Sequence, residues 1–116
     1  MPRLLTFIIV CLLMACVKSH RESFDAQNVI IYKADGSRQC EPGSGTSVSA
    51  MAQALTNAGI AVFSSRGDHD CLFRPALCGT ATGTINIYEI PANRLSQAQD
   101  LGFIPYSHLQ ARCESR

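Results

Sequence analysis

Six cysteines lie in a chain of 116 residues. Cysteine offers three chemistries: a thiolate nucleophile or redox couple, a metal ligand, and a disulfide. Cys11 and Cys16 stand in or at the edge of an apolar N-terminal run, which leaves Cys40, Cys71, Cys78 and Cys113 in the body of the chain. Those four are spaced by 31, 7 and 35 positions, with no Cys-x-x-Cys pair. Zinc sites and thioredoxin-type motifs use such a pair, so neither a metal nor any other cofactor is expected.

His69 lies between Asp68 and Asp70 and close to Cys71. A neighbouring carboxylate raises an imidazole pKa and orients the ring as a base or ligand. Cys71 and Cys78, or Cys40, cycling near His69 would be the enzymatic reading. In a long polar loop the plainer expectation is a solvated cluster. His20 and His108 share no helix face with His69. No Gly-x-Ser-x-Gly and no convincing Cys–His pairing occur, so no catalytic residue is assigned. Gly43-Ser44-Gly45-Thr46-Ser47 opens a helical pattern, and exposed amides at such a start can bind a phosphate, sulfate or carboxylate. Gly43, Gly45, Thr46 and Ser47 are the candidate anion residues. The stretch lacks a P-loop lysine and Glu41 would repel an anion, so an ordinary helix cap is the expected state.

Met1-Pro2-Arg3 supplies one positive charge, and Leu4 to Ala15 carries none. The apolar run from Leu4 to Val17 is fourteen residues, whereas a membrane-spanning helix needs about twenty. Lys18, His20, Arg21 and Glu22 end it, so the run fits an export signal and not a permanent anchor. Leu13-Met14-Ala15-Cys16 resembles the lipobox of bacterial lipoproteins. The resemblance implies that residues 1–15 are a signal peptide, removed to leave Cys16 as an N-terminus carrying more than one acyl chain. Each buried methylene contributes about 0.8 kcal/mol, so two or more chains make a durable membrane anchor. Val17 is not the aspartate that retains such proteins in the inner membrane, which implies the outer membrane, facing the periplasm. Cleavage after Ser19 is the alternative and would give a soluble periplasmic or secreted protein.

In an exported chain, Cys40, Cys71, Cys78 and Cys113 read as two disulfides with three possible connectivities. Such staples matter for a single domain of about a hundred residues, which buries only a modest share of its surface. The chain has ten Lys+Arg against nine Asp+Glu, and loss of Arg3 with the signal makes it formally neutral. Nucleic acid binding therefore lacks its electrostatic driver.

Residues 16–27 are polar and without apolar periodicity, a lipid-anchored tether. One α+β domain is expected over 28–116. Val29-Ile30-Ile31-Tyr32 is a strand ended by Asp35-Gly36. Val48, Met51, Ala52 and Leu55 form the stripe of a helix capped by Thr46 or Ser47 and stopped at Gly59. Ile60-Ala61-Val62-Phe63 is predicted as the second strand, and Arg66 to Gly83 as a long irregular connection. Thr84-Ile85-Asn86-Ile87-Tyr88 is the third strand. Leu95, Ala98 and Leu101 mark a second helix, stopped at Gly102. Phe103-Ile104-Pro105-Tyr106 is a last strand, demoted to an edge by Pro105. Leu109 to Cys113 predicts a final helical turn.

The two halves match. Val29-Ile30-Ile31-Tyr32-Lys33 lines up with Ile85-Asn86-Ile87-Tyr88-Glu89, and Asn57-Ala58-Gly59-Ile60 with Asp100-Leu101-Gly102-Phe103. The order βαββαβ with right-handed crossovers predicts a split βαβ, ferredoxin-like sheet with its helices on one face. The first strand, cysteine-bearing loop and helix also resemble the start of a glutaredoxin, without its Cys-Pro-x-Cys motif. This topology puts Cys40, Cys71 and Cys78 at one end of the sheet. A local Cys71–Cys78 bridge is easily closed and leaves Cys40–Cys113 by exclusion. Cys40–Cys71 or Cys40–Cys78 suits the long loop better geometrically, but the local Cys71–Cys78 pair is the one expected.

A binding or inhibitory module for a protein or envelope component is the leading expectation. Its surface is the stapled loop, with Arg66, Asp68, His69, Phe73 and Arg74 as candidate contacts, because loops on rigid scaffolds carry recognition. The alternatives are a thiol-redox or other small periplasmic enzyme using Cys71, Cys78 and His69, and a structural envelope lipoprotein.

Overall fold

The computed structural model describes residues 27–115. The expected signal peptide, Cys16 and the expected tether through residue 26 lie outside the described residues. The chain forms β1 (Asn28–Ala34), α1 (Val48–Asn57), β2 (Ser64–His69), β3 (Thr84–Pro91), a 3-10 turn (Ala92–Arg94), α2 (Leu95–Asp100), β4 (Ile104–Pro105) and α3 (Tyr106–Glu114). The strands make one antiparallel sheet in the order β2-β3-β1-β4. That is the split βαβ arrangement, with β1 and β3 central and β2 and β4 at the edges.

The centre of the sheet is covered on both faces. Consecutive residues Ile31 and Tyr32 of β1 are both buried, as are Ile85 to Tyr88 of β3. Successive strand residues point to opposite faces, so burial without alternation requires a layer on each side. On one face Ile31, Tyr88 and Ile90 pack with Met51 and Leu55 of α1, Ala98 of α2, Ile60 and Phe103. On the other, Tyr32, Ile85 and Ile87 pack with Leu109 of α3. The two crossover helices share the first face, and α3 closes the second. The predicted final turn is thus a nine-residue helix with a core position of its own.

Both crossover helices end in the same way. Ile60 N–H donates to Leu55 O at 3.0 Å, and Phe103 N–H to Ala98 O at 3.1 Å. Gly59 and Gly102 take left-handed φ values of 80° and 90° between them. This is the six-to-one bond of a Schellman turn, and it tucks the apolar residue after each glycine into the core. The matched halves of the sequence are therefore matched in structure.

Two predicted segments shift. Ile60 to Phe63 is not the second strand: Ile60 serves as the buried residue after the Schellman glycine, and β2 begins at Ser64. Phe63 N–H bonds Glu89 O at 2.9 Å while Ser64 is also paired with Glu89, so two residues oppose one where the strand starts. As an edge strand, β2 exposes every residue and carries no apolar signature. The connection predicted from Arg66 accordingly begins only at Asp70. The last strand shrinks to Ile104 and Pro105, at the edge as Pro105 requires.

Candidate functional site

β1 and β2 end, and β3 begins, at one end of the sheet, where the register sets Ala34 opposite Ile85 and His69 opposite Thr84. The two long connections meet there and bond to each other. Gln39 N–H donates to Thr80 O at 2.8 Å, Gly79 N–H to Gln39 O at 2.9 Å and Thr82 N–H to Ser37 O at 3.1 Å, around an Arg38–Ala81 bridge. Asp35 Oδ1 accepts from Ser37 N–H and Oγ at 2.8 and 2.7 Å, and the Ser37 and Thr82 hydroxyls lie 2.5 Å apart. The paired loops leave a cleft of about 140 Å³, lined by residues that include Asp35, Arg38, Asp70 and Arg74.

The disulfides fix this end. Cys40 joins Cys78 with a Cα separation of 5.0 Å, and Cys71 joins Cys113 at 5.4 Å. The local Cys71–Cys78 bridge, with Cys40–Cys113 by exclusion, does not form. The reason is the extra helix: α3 crosses the second face and carries Cys113 to the end of β2, where Cys71 stands. Cys78 is held instead against the first loop by the Gly79–Gln39 bond. Cys40 and Cys71 have φ of 63° and 60°, a region non-glycine residues seldom occupy, so both turn the chain sharply at their bridges. All four sulphurs are consumed. The Cys71 sulphur meets His69 through its main-chain carbonyl, at 3.9 Å.

Between Cys71 and Cys78 runs Leu72-Phe73-Arg74-Pro75-Ala76-Leu77, fastened at either end to a different part of the fold. Phe73 is 84% exposed, Leu77 60% and Leu72 44%. At its base Asp70 is only 8% exposed. Its Oδ1 accepts from Leu72 N–H at 3.0 Å and its Oδ2 receives the Arg74 guanidinium. Burial pushes this carboxyl up, but the Arg74 bond, the Leu72 amide and the charges of Arg74 and Arg112 outweigh it and hold Asp70 below the usual carboxylate range.

The candidate contacts divide accordingly. Phe73 stands at the loop surface, and Arg74 folds back onto Asp70. Arg66, Asp68 and His69 lie on β2. Arg66 and Asp68 share one face, form a 2.8 Å ion pair, and set the Arg66 guanidinium 5.6 Å from the Tyr106 ring centre. His69 is on the opposite face by alternation, so the Asp-His-Asp run does not converge on one point. Asp68 instead caps the His69 N–H at 2.8 Å; that bond, then Arg66, lowers its pKa. Gly45, Thr46 and Ser47 of the candidate anion residues are engaged in the fold, and Gly43 stands clear of other side chains. Ser47 Oγ caps α1 by accepting from Ala50 N–H at 3.1 Å, and Thr46 N–H donates to Asp35 O at 2.7 Å. A Cβ on Gly45 would lie 2.9 Å from Ser37 Cβ, so glycine lets the two strands of the loop touch.

The sequence marked Asp70 only as a carboxylate beside His69 and did not single out Leu72 or Leu77. Two leucines beside cysteines in a polar connection were the available signal. No helix among the described residues is long and apolar enough to cross a membrane, and no cluster of three metal-ligating side chains occurs among them. The chain matches no known family model, no curated protein and no solved structure.

Proposed function

We propose that this chain is an exported envelope lipoprotein, anchored through acylated Cys16, whose folded domain is a binding or inhibitory module. Its recognition element is the Leu72–Leu77 loop. One observation carries the reading: three apolar side chains stand in solvent on a six-residue loop bridged at both ends and braced at its base by Asp70. An exposed aromatic is unfavourable in the free protein, and a pre-ordered loop gives up little entropy on binding, so the arrangement suits insertion into a partner's apolar pocket. The partner is a protein or other envelope component with such a pocket.

The test is site-specific photocrosslinking from position 73 in the native membrane fraction, followed by titration of the purified crosslinked partner. Loss of a buried aromatic anchor weakens binding by about 2 kcal/mol or more, so Phe73→Ser is expected to raise Kd by about thirtyfold. Unchanged affinity of that variant overturns the loop as the recognition element. Intact-mass spectrometry of the same fraction tests the anchor: an unacylated chain starting near His20 refutes it.

A further inference from the structure

The outer edge of β2 is the longest unpaired backbone run among the described elements of the sheet. Its register with β3, together with Asp70 N–H donating to Gly83 O at 2.9 Å, fixes which groups face which way. In an antiparallel ladder, alternate residues turn both N–H and C=O to the neighbour. Asp70, Asp68 and Arg66 therefore point theirs at β3, and Ser65, Gly67 and His69 point theirs outward. The outward His69 N–H is met by its neighbour's carboxylate, Asp68 Oδ1. All six β2 residues are exposed, and none is proline. Such an edge is a template for another strand.

We propose that β2 pairs with β2 of a second copy, antiparallel about a two-fold axis at Gly67, to make a continuous eight-stranded sheet. The sequence of the edge selects this occupant. A two-fold axis at Gly67 sets Ser65 opposite the partner's His69 and Gly67 opposite itself, so the outward N–H and C=O groups meet in register once the His69 N–H exchanges Asp68 Oδ1 for the C=O of Ser65 across the axis. It also sets each Arg66 opposite the partner's Asp68. These are the closely spaced pairs without backbone bonds, where side chains interact most strongly, and the two-fold repeats the charge pair. Arg66 and Asp68 already share one face and pair with each other at 2.8 Å, so dimer formation exchanges the two intrachain ion pairs, one in each copy, for two interchain ones. Gly67 leaves the axis free of side chains. A shift of register by two residues puts Arg66 opposite itself or Asp68 opposite itself and is disfavoured by like charge. This interface is separate from the Leu72–Leu77 loop and stands or falls without it.

The test is sedimentation equilibrium of the full chain in detergent, comparing the native protein, Arg66→Asp, Asp68→Arg and the double exchange Arg66→Asp/Asp68→Arg. Far-ultraviolet circular dichroism verifies the fold of each. The native chain is expected to sediment as a dimer. Either single exchange faces like charges across the axis twice and should weaken the dimer about tenfold or more. The double exchange restores opposite charges at both positions and should return the dimer constant to within about threefold of native. A native monomer up to 500 µM overturns the proposal, and so does a dimer indifferent to the single exchanges. A folded double variant as weak as the singles overturns it too.

Discussion

Asp70 and Arg74 close the Cys71–Cys78 loop on itself, the buried carboxylate taking the guanidinium of the residue four positions on while also holding the Leu72 amide. Replacing the carboxylate by an amide removes its charge and one of its two acceptor oxygens, so the Leu72 amide and the partly buried Arg74 guanidinium can no longer both be met. Asp70→Asn is expected to cost about 1–3 kcal/mol in urea unfolding and to speed hydrogen exchange at Leu72. The pH dependence has a defined sign. The folded pKa lies below the ordinary 3.8, so the native contribution is full above that value and is lost as pH falls through the folded pKa. The native protein should lose stability in that acid window more steeply than Asp70→Asn does.

The two bridges enclose separations of 38 and 42 residues. Loop closure of that length stabilises by up to about 4 kcal/mol per bridge. Nonreducing peptide mapping should recover Cys40–Cys78 and Cys71–Cys113. The Cys71→Ser/Cys113→Ser pair should release the end of α3, so amide protection falls over Tyr106–Glu114 before it falls in β1 and β3. Leu109 holds that helix to Tyr32, Ile85 and Ile87, and Leu109→Ala should cost about 2–5 kcal/mol on its own.

Tyr88 is fully buried, and its hydroxyl donates to Val48 O at 2.6 Å, tying the start of α1 to the sheet. Burial raises its pKa to about 12. The unfolded chain ionises near 10, so stability present below that pH drains away as pH rises toward 12. Tyr88→Phe should cost about 1 kcal/mol at neutral pH, the net value of one hydrogen bond. It should also flatten the alkaline fall seen in urea midpoints between about pH 9 and 12.

What could be read ahead of the structure followed burial. β1, α1, β3 and α2 each bury an apolar face, and their residues announce it: Val29 to Tyr32, Met51 with Leu55, Ile85 to Tyr88, Ala98. β2 buries nothing, so Arg66 to His69 resembled the start of a loop, while the apolar Ile60 to Phe63 resembled the strand it precedes. Ile60 was apolar because a Schellman turn drops it into the core. Asn86 within an apolar run is explained only in three dimensions, its Nδ2 donating to Thr46 O at 2.8 Å to pin the start of α1. The disulfide pairing depended on α3, whose one fully buried residue is Leu109, too little to show in a periodic pattern.

Phe73 separates recognition from a purely structural role. A residue that serves the fold loses stability when truncated, whereas one 84% exposed has little native packing to lose. Phe73→Ser should leave the unfolding midpoint within about 0.5 kcal/mol of the native value. A spacer without a ligand would tolerate it in every other respect, and envelope integrity would depend only on the presence of the chain. A recognition loop would not, since the side chain that contributes nothing to folding is the one that enters the partner. Asp70→Asn supplies the contrasting case, lowering stability and loosening the same loop without touching its apolar tip. Binding lost in Phe73→Ser at native stability, alongside binding weakened in Asp70→Asn in step with faster Leu72 exchange, assigns the tip to contact and the ion pair to its presentation. Measuring both variants by denaturation and by partner titration makes that assignment, and full binding by a stable Phe73→Ser refutes it.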